Sequence, residues 1–176
     1  MKIKQMLLVF VGVLAVSAIA FAAVSTPGSG IILRNDFVRA GFVDPTNIQF
    51  TVREYIGPFF RPGFGEEVIN VDNAKETVFQ QVVIAPGGFT GWHSHPGPVI
   101  VLVKSGQLSF YDGEDPSCTV RTYSAGQAFI DRGQGHVHIG RNESPSENLE
   151  LWSTYLDVPP GEAFRIDAPD PGNCSF

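Results

Sequence analysis

The chain has 176 residues, with 18 acidic against 12 basic residues and a formal net charge of −6. No basic cluster accompanies that acidity, which argues against nucleic acid and against anionic membrane surfaces as partners. A small-molecule ligand or substrate, a metal or another protein, including a second copy in a homodimer, is the expected partner.

Residues 1–22 read as a signal peptide: a short basic lead, Met1-Lys2-Ile3-Lys4, precedes an almost wholly apolar run that ends in small residues at Ala18, Ala20, Ala22 and Ala23. Cleavage after Ala22 makes the protein exported, secreted or periplasmic. The run is also nearly long enough to span a bilayer, so an uncleaved membrane anchor is the alternative. Nothing later in the sequence is apolar enough to cross a membrane. Loss of Lys2 and Lys4 leaves 10 basic against 18 acidic residues, a balance of −8. The remaining length suits one domain with a sizeable core.

Residues 23–75 read as an N-terminal arm and loops. Within them Ile48, Phe50 and Val52 alternate with Gln49, Thr51 and Arg53, the period of a half-buried strand. Gly57 to Gly65 is turn-rich with interleaved aromatics and reads as a loop packed on the body rather than a lid.

From Glu76 the pattern becomes a succession of short strands separated by turns: Thr77 to Ala85, Val99 to Val103, Gln107 to Tyr111, Cys118 to Tyr123, Gln127 to Asp131, Gly135 to Asn142 and Leu149 to Leu156. No helical period competes, so the fold class is all-β, an antiparallel sandwich or barrel occupying residues 76–158. The tail, 159–176, carries four prolines and two glycines. The two cysteines, Cys118 and Cys174, both fall in the exported part and read as a disulfide that ties this tail to the body.

The four histidines form two pairs of identical spacing, His93-Ser94-His95 and His136-Val137-His138. Residues two apart on a strand point the same way, and neutral imidazole is the commonest metal-ligating side chain. A metal site assembled from two strands follows as an expectation. Trp92, Phe110, Phe129 and Trp152 read as core aromatics or cavity walls. Asp131 and Arg132, a charged pair at a turn, read as solvated. Asn142-Glu143-Ser144 and Asn173-Cys174-Ser175 match the glycosylation acceptor pattern. The mature chain has no nucleophile triad, P-loop or dinucleotide fingerprint.

The run Gly87-x5-His93-x-His95, followed by Gly106, resembles the first cupin motif, and Gly126 through His138-x3-Asn142 resembles the second. The resemblance spans residues 77–156 and implies a small antiparallel double-sheet jelly-roll barrel of the cupin type. It also implies one divalent transition metal. Two departures stand out. The glutamate that follows the second histidine by four or five residues in that family is replaced by Val99 or Ile100, and Asp131-Arg132-Gly133-Gln134-Gly135 stands where a proline is expected. The resemblance makes His138 the third ligand beside His93 and His95, and His136, placed on the same strand face, the fourth. A set of imidazoles suits zinc, copper, nickel or iron. No catalytic residue is named by the sequence. The expected function is an exported metal-binding cupin, with a dioxygenase-like oxidoreductase acting on a small anionic or chelating substrate as its enzymatic form. A non-catalytic binder of a small ligand or metal, and a degenerate cupin with a structural role, are the alternatives.

Overall fold

A computed structural model describes residues 24–56 and 63–176; the leader and most of the turn-rich stretch after Ile56 lie outside the described residues. Among the described residues there are twelve strands and no helix, so none is long and apolar enough to cross a membrane.

The strands are β1 (Ser29–Gly41), β2 (Ile48–Ile56), β3 (Gly63–Val71), β4 (Glu76–Phe89), β5 (His93–Ser94), β6 (Val99–Ser105), β7 (Gln107–Asp112), β8 (Arg121–Ser124), β9 (Ala128–Asp131), β10 (His138–Arg141), β11 (Leu149–Val158) and β12 (Ile166–Asp167). All named pairings are antiparallel. One layer runs β1-β4-β11-β6-β9 and the other β12-β5-β10-β7-β8. The layers join where β4, after Pro86-Gly87-Gly88, reaches β10 through the pair Arg141↔Phe89. Ten strands thus form a nearly closed barrel, the double-sheet arrangement expected from the short, evenly spaced runs.

Alternation explains which residues fill it. Along β4 the buried positions are Val78, Gln80, Val82 and Ile84, along β6 Val99, Val101 and Val103, and along β11 Leu149, Leu151, Ser153 and Tyr155. Each set has the period of two that turns one face of a strand inward. With Leu108 and Phe110 from β7 they make the main core. A second, smaller cluster gathers Trp92, Tyr111, Ile139 and Ala168. Trp152, on the outward face of β11, stacks instead on Phe37 of β1 at 5.5 Å.

The described residues of 23–75 supply β1, β2 and β3. β1 pairs along β4 from Ser29↔Phe89 to Gly41↔Glu76, with three register shifts. The alternation at Ile48, Phe50 and Val52 becomes β2, which forms a hairpin with β3. That hairpin meets the loop after β9 through Gln134 Nε2 donating to Asn70 O and through the ion pair Arg132–Glu67.

The tail is held at several points. β12 pairs with β5, Cys118 is bonded to Cys174, and Asn173 Nδ2 donates to the carbonyls of Asp112 and Asp115. The ring of Phe176 lies against Trp92 and under the Arg141 guanidinium, 4.0 Å from its centre. Neither glycosylation pattern offers a free acceptor. Asn142 is fully buried with its amide donating to Ile84 O and Glu147 O, and the Asn173 amide is engaged as described.

Gly133 marks the tightest crossing. Its φ of +59° is left-handed, and a Cβ there would fall 1.8 Å from Gly97 O. The obstacle is backbone, with Gly97 C at 2.3 Å and Pro98 N at 2.9 Å behind it, so Gly133→Ala is expected to cost about 2 kcal/mol or more, from left-handed strain and overpacking together. A urea midpoint equal to that of the parent chain would contradict this.

Candidate metal centre

His93 lies on β5 and His138 opens β10, and the two are direct cross-strand partners. This register is what brings the two sequence motifs together. His95 follows β5 by one residue and turns to the same side. The three rings lie 4.3 Å (His93–His138), 4.9 Å (His93–His95) and 5.2 Å (His95–His138) apart, and one nitrogen from each falls within 4.8 Å of the others.

Backbone carbonyls set the tautomers. His93 Nδ1 donates to Gly91 O at 2.8 Å and His95 Nδ1 to Phe164 O at 2.7 Å; His138 Nδ1 faces His136 O at 3.4 Å. An imidazole whose Nδ1–H is used in this way leaves Nε2 as a bare lone pair, the form that ligates metals. All three rings are buried. Burial lowers the His93 proton affinity well below the usual value, and the neighbouring His138 and His95 lower it further. Burial likewise brings His95 down to about 4 and lowers His138, although Asp131 opposes the shift in both. At neutral pH the three are neutral donors.

His136 stands outside that trio, although it forms a second group with Asp131 and His138 whose ligand atoms lie within 4.8 Å of one another. The expectation that it shares a strand face with His138 fails because β10 begins only at His138. Gly133, Gln134 and Gly135 all have positive φ, at 59°, 54° and 86°, and this turn carries His136 away from the strand period. Its Nε2 is bonded to Asp112 Oδ1 at 2.8 Å, and its Nδ1 is 3.7 Å from Asp131 Oδ1. Burial lowers its proton affinity, but the bond to Asp112 and the Asp131 carboxylate outweigh that and carry it up to about 9. His136 is thus a cation between two carboxylates.

Asp131 also departs from expectation. Arg132 does lie at the surface, paired with Glu67 and Glu114, but Asp131 is only 4 % exposed. The turn signal in the sequence is real; it starts one residue later, so the Asp131 side chain still points inward from the end of β9. Its Oδ1 accepts from Gly133 N at 3.2 Å. Its Oδ2 has no hydrogen-bond partner and lies 3.5 Å from His138 Nε2 and 3.7 Å from His95 Nε2. Burial alone would raise this carboxyl; the imidazoles of His138, His136 and His95 with the Gly133 N–H hold it below the usual carboxylate range.

A cavity opens beside the three imidazoles. Its walls include Val99, Val101, Leu108, Phe110, Phe129 and Leu151, with Gln80, Ser153 and Tyr155 as polar groups. Arg34 of β1 and Arg165 line it as well. Arg165 Nη2 donates to Thr90 O and pairs with Asp167 Oδ1, each at 2.8 Å. Of the aromatics singled out in the sequence, Phe110 and Phe129 face this cavity, whereas Trp92 belongs to the second core cluster and Trp152 to the outer face. Arg34 and Arg165 have no local sequence signature; only the register of β1 on β4 and the return of the tail place them here.

No protein-family profile and no curated protein matches the chain. Among solved structures, a conserved protein of Klebsiella pneumoniae with a double-stranded β-helix domain is 26 % identical, with a TM-score of 0.42 over 53 % of this chain and 70 % of that one. A cupin-like protein of Thermotoga maritima is 24 % identical, with a TM-score of 0.44 over 53 % of this chain and 65 % of that one. An oxalate oxidase is 22 % identical, with a TM-score of 0.40 over 47 % of this chain and 42 % of that one. The fold itself is an antiparallel double-sheet barrel, and the two histidine motifs that resemble those of cupins meet in it through the His93–His138 cross-strand pair.

Proposed function

We propose that the protein binds one divalent transition metal through His93, His95 and His138 and presents it to a small anionic or chelating ligand in the adjoining cavity. The observation that carries this reading is the convergence of three buried, neutral imidazoles, with Nδ1 of His93 and His95 committed to carbonyls, on one cavity wall. Zinc, copper, nickel and iron all accept such donors. A bound ion of this kind would supply Lewis acidity and, for iron or copper, one-electron chemistry.

The chain's own residues account for ligand choice. Arg34 and Arg165 bring two cations to the cavity, which favours an anion such as a carboxylate. The Tyr155 hydroxyl, which burial keeps protonated by pushing it up to about 12, donates to Gln80 Oε1 at 2.9 Å and fixes one polar wall. Val99, Val101, Leu108 and Phe110 give the cavity a buried apolar wall beside the imidazoles. The enzymatic form of this function is a dioxygenase-type oxidoreductase acting on a small acid, and the alternative is a binding protein with the same pocket. Oxygen uptake by the metal-loaded protein across a panel of small carboxylic acids and phenols separates them.

If the cavity recognises anions, Arg34→Met and Arg165→Met will each weaken binding of the best acid in that panel by about tenfold or more, the worth of one charge-assisted hydrogen bond. Metal content will stay at the parent level. Titration calorimetry with loaded protein reads both, and undiminished acid affinity in both variants sinks the anionic-ligand reading.

A further inference from the structure

We propose that the Asp131 carboxylate is the fourth ligand of the ion held by His93, His95 and His138, and that His136 positions this carboxylate instead of ligating. This rests on the metal-binding reading above and names the donor set of the same site.

Asp131 Oδ2 lies 3.5 Å from His138 Nε2 and 3.7 Å from His95 Nε2. Both separations are too long for hydrogen bonds. They are close to the roughly 3.4 Å that separates neighbouring donors around a tetrahedral ion with bonds of about 2.1 Å. The oxygen has no hydrogen-bond partner and is sealed from water. A buried carboxylate oxygen without a partner costs several kcal/mol, and it is tolerated where a cation answers it. The other oxygen is occupied by Gly133 N–H, so Oδ2 is aimed at the imidazole nitrogens and Oδ1 away from them.

The strand register gives a second, independent argument. Val99 stands at the position where the cupin resemblance leads one to expect a glutamate, and it is buried on the cavity wall, whereas Ile100 is partly exposed. Val99 on β6 is the direct antiparallel partner of Asp131 on β9. Directly opposed residues of an antiparallel pair share a face, with Cβ atoms about 5 Å apart. The carboxylate absent at 99 is therefore present one strand over, aimed into the same cavity from the neighbouring backbone. Three nitrogens and one oxygen also cancel one of the ion's two positive charges, which an all-imidazole set would leave whole.

His136 completes the arrangement from outside. Bonded to Asp112 Oδ1 and 3.7 Å from Asp131 Oδ1, it links two carboxylates across the back of the site. Partners of this kind orient a ligating carboxylate.

The test uses the exported chain, purified without a histidine tag, stripped of metal with a chelator and reloaded with cobalt(II). In the wild-type protein the proton NMR spectrum is expected to show three strongly shifted exchangeable N–H signals, one for each ligating imidazole. It should also show one strongly shifted, non-exchangeable methylene pair that disappears when aspartate β-carbons are deuterated. Asp131→Asn should lower cobalt affinity at least tenfold and change the visible absorption. Asp131→Ala/Val99→Glu should recover most of the affinity lost in Asp131→Ala, a rescue that a purely structural Asp131 would not permit. A fourth N–H signal, a methylene pair indifferent to aspartate deuteration, or an Asp131→Asn variant with parental affinity and spectrum would overturn the assignment while leaving the three-histidine site standing. No cobalt uptake by the wild-type chain would remove the metal reading itself. The wild-type spectra decide the matter even if a variant fails to fold.

Discussion

Expressed with export to the periplasm and purified without a tag, the protein is expected to retain about one equivalent of a divalent transition metal, and His138→Ala less than about a tenth. His138 is the pivot because it is the cross-strand partner of His93 and its Nε2 faces Asp131. Removing it takes away one donor of three imidazoles and breaks the contact between the two motifs. Loss of an outer partner of a metal ligand already costs 10- to 100-fold in affinity, so loss of a ligand itself should exceed about 100-fold. The same change has a thermal readout. An ion at about 100 times its dissociation constant stabilises the folded state by about 2.7 kcal/mol. For a domain of this size that corresponds to a rise in Tm of about 5 to 10 °C. Metal addition should produce that rise in the parent chain and none in His138→Ala. Elemental analysis and thermal melts with and without chelator measure the two effects, and parental metal content in the variant would exclude His138 from the site.

Opening the Cys118–Cys174 bond is expected to have the largest effect on stability alone. The bond joins positions 56 residues apart in the chain. Closing a loop of that length restricts the unfolded ensemble by about 4 kcal/mol. The tail it secures has little else of regular structure, since β12 is two residues long and the rest is held by Asn173 and the Phe176 ring. The double variant Cys118→Ser/Cys174→Ser should therefore melt about 8 to 16 °C below the parent. The tail also borders the three-histidine site: Asp167 pairs with His93 in the β12–β5 ladder, and Phe164 O accepts from His95 Nδ1. Metal affinity should fall along with stability. A melt unmoved by the substitutions would show that β12 and the Phe176 contacts suffice to dock the tail.

The barrel was legible from the sequence because alternation is a local signal. Residues such as Val78, Val82, Val101, Val103, Leu149 and Leu151 recur every second position, and burial on one face of a strand follows directly. The boundaries moved where turns intervened. The expected strand from Gly135 starts at His138, and the one from Cys118 starts at Arg121. In the first case three consecutive positive φ angles, at Gly133, Gln134 and Gly135, form a turn that delays the strand. The two-residue strands β5 and β12 have too few residues to show a period and exist because neighbouring strands pair with them.

The sequence by itself determined the all-β class, the identical spacing of its two histidine pairs and the even count of its only two cysteines. Each of these is written in spacing or in count. Only the tertiary structure decided which side chains share the centre. It turned His136 out toward Asp112, kept Asp131 in, and brought Arg34 and Arg165 to the cavity from opposite ends of the chain. The reason is physical: strand register is set by packing across the whole sheet, so the residue facing Val99 is fixed by the β6–β9 ladder and by nothing within thirty residues of it.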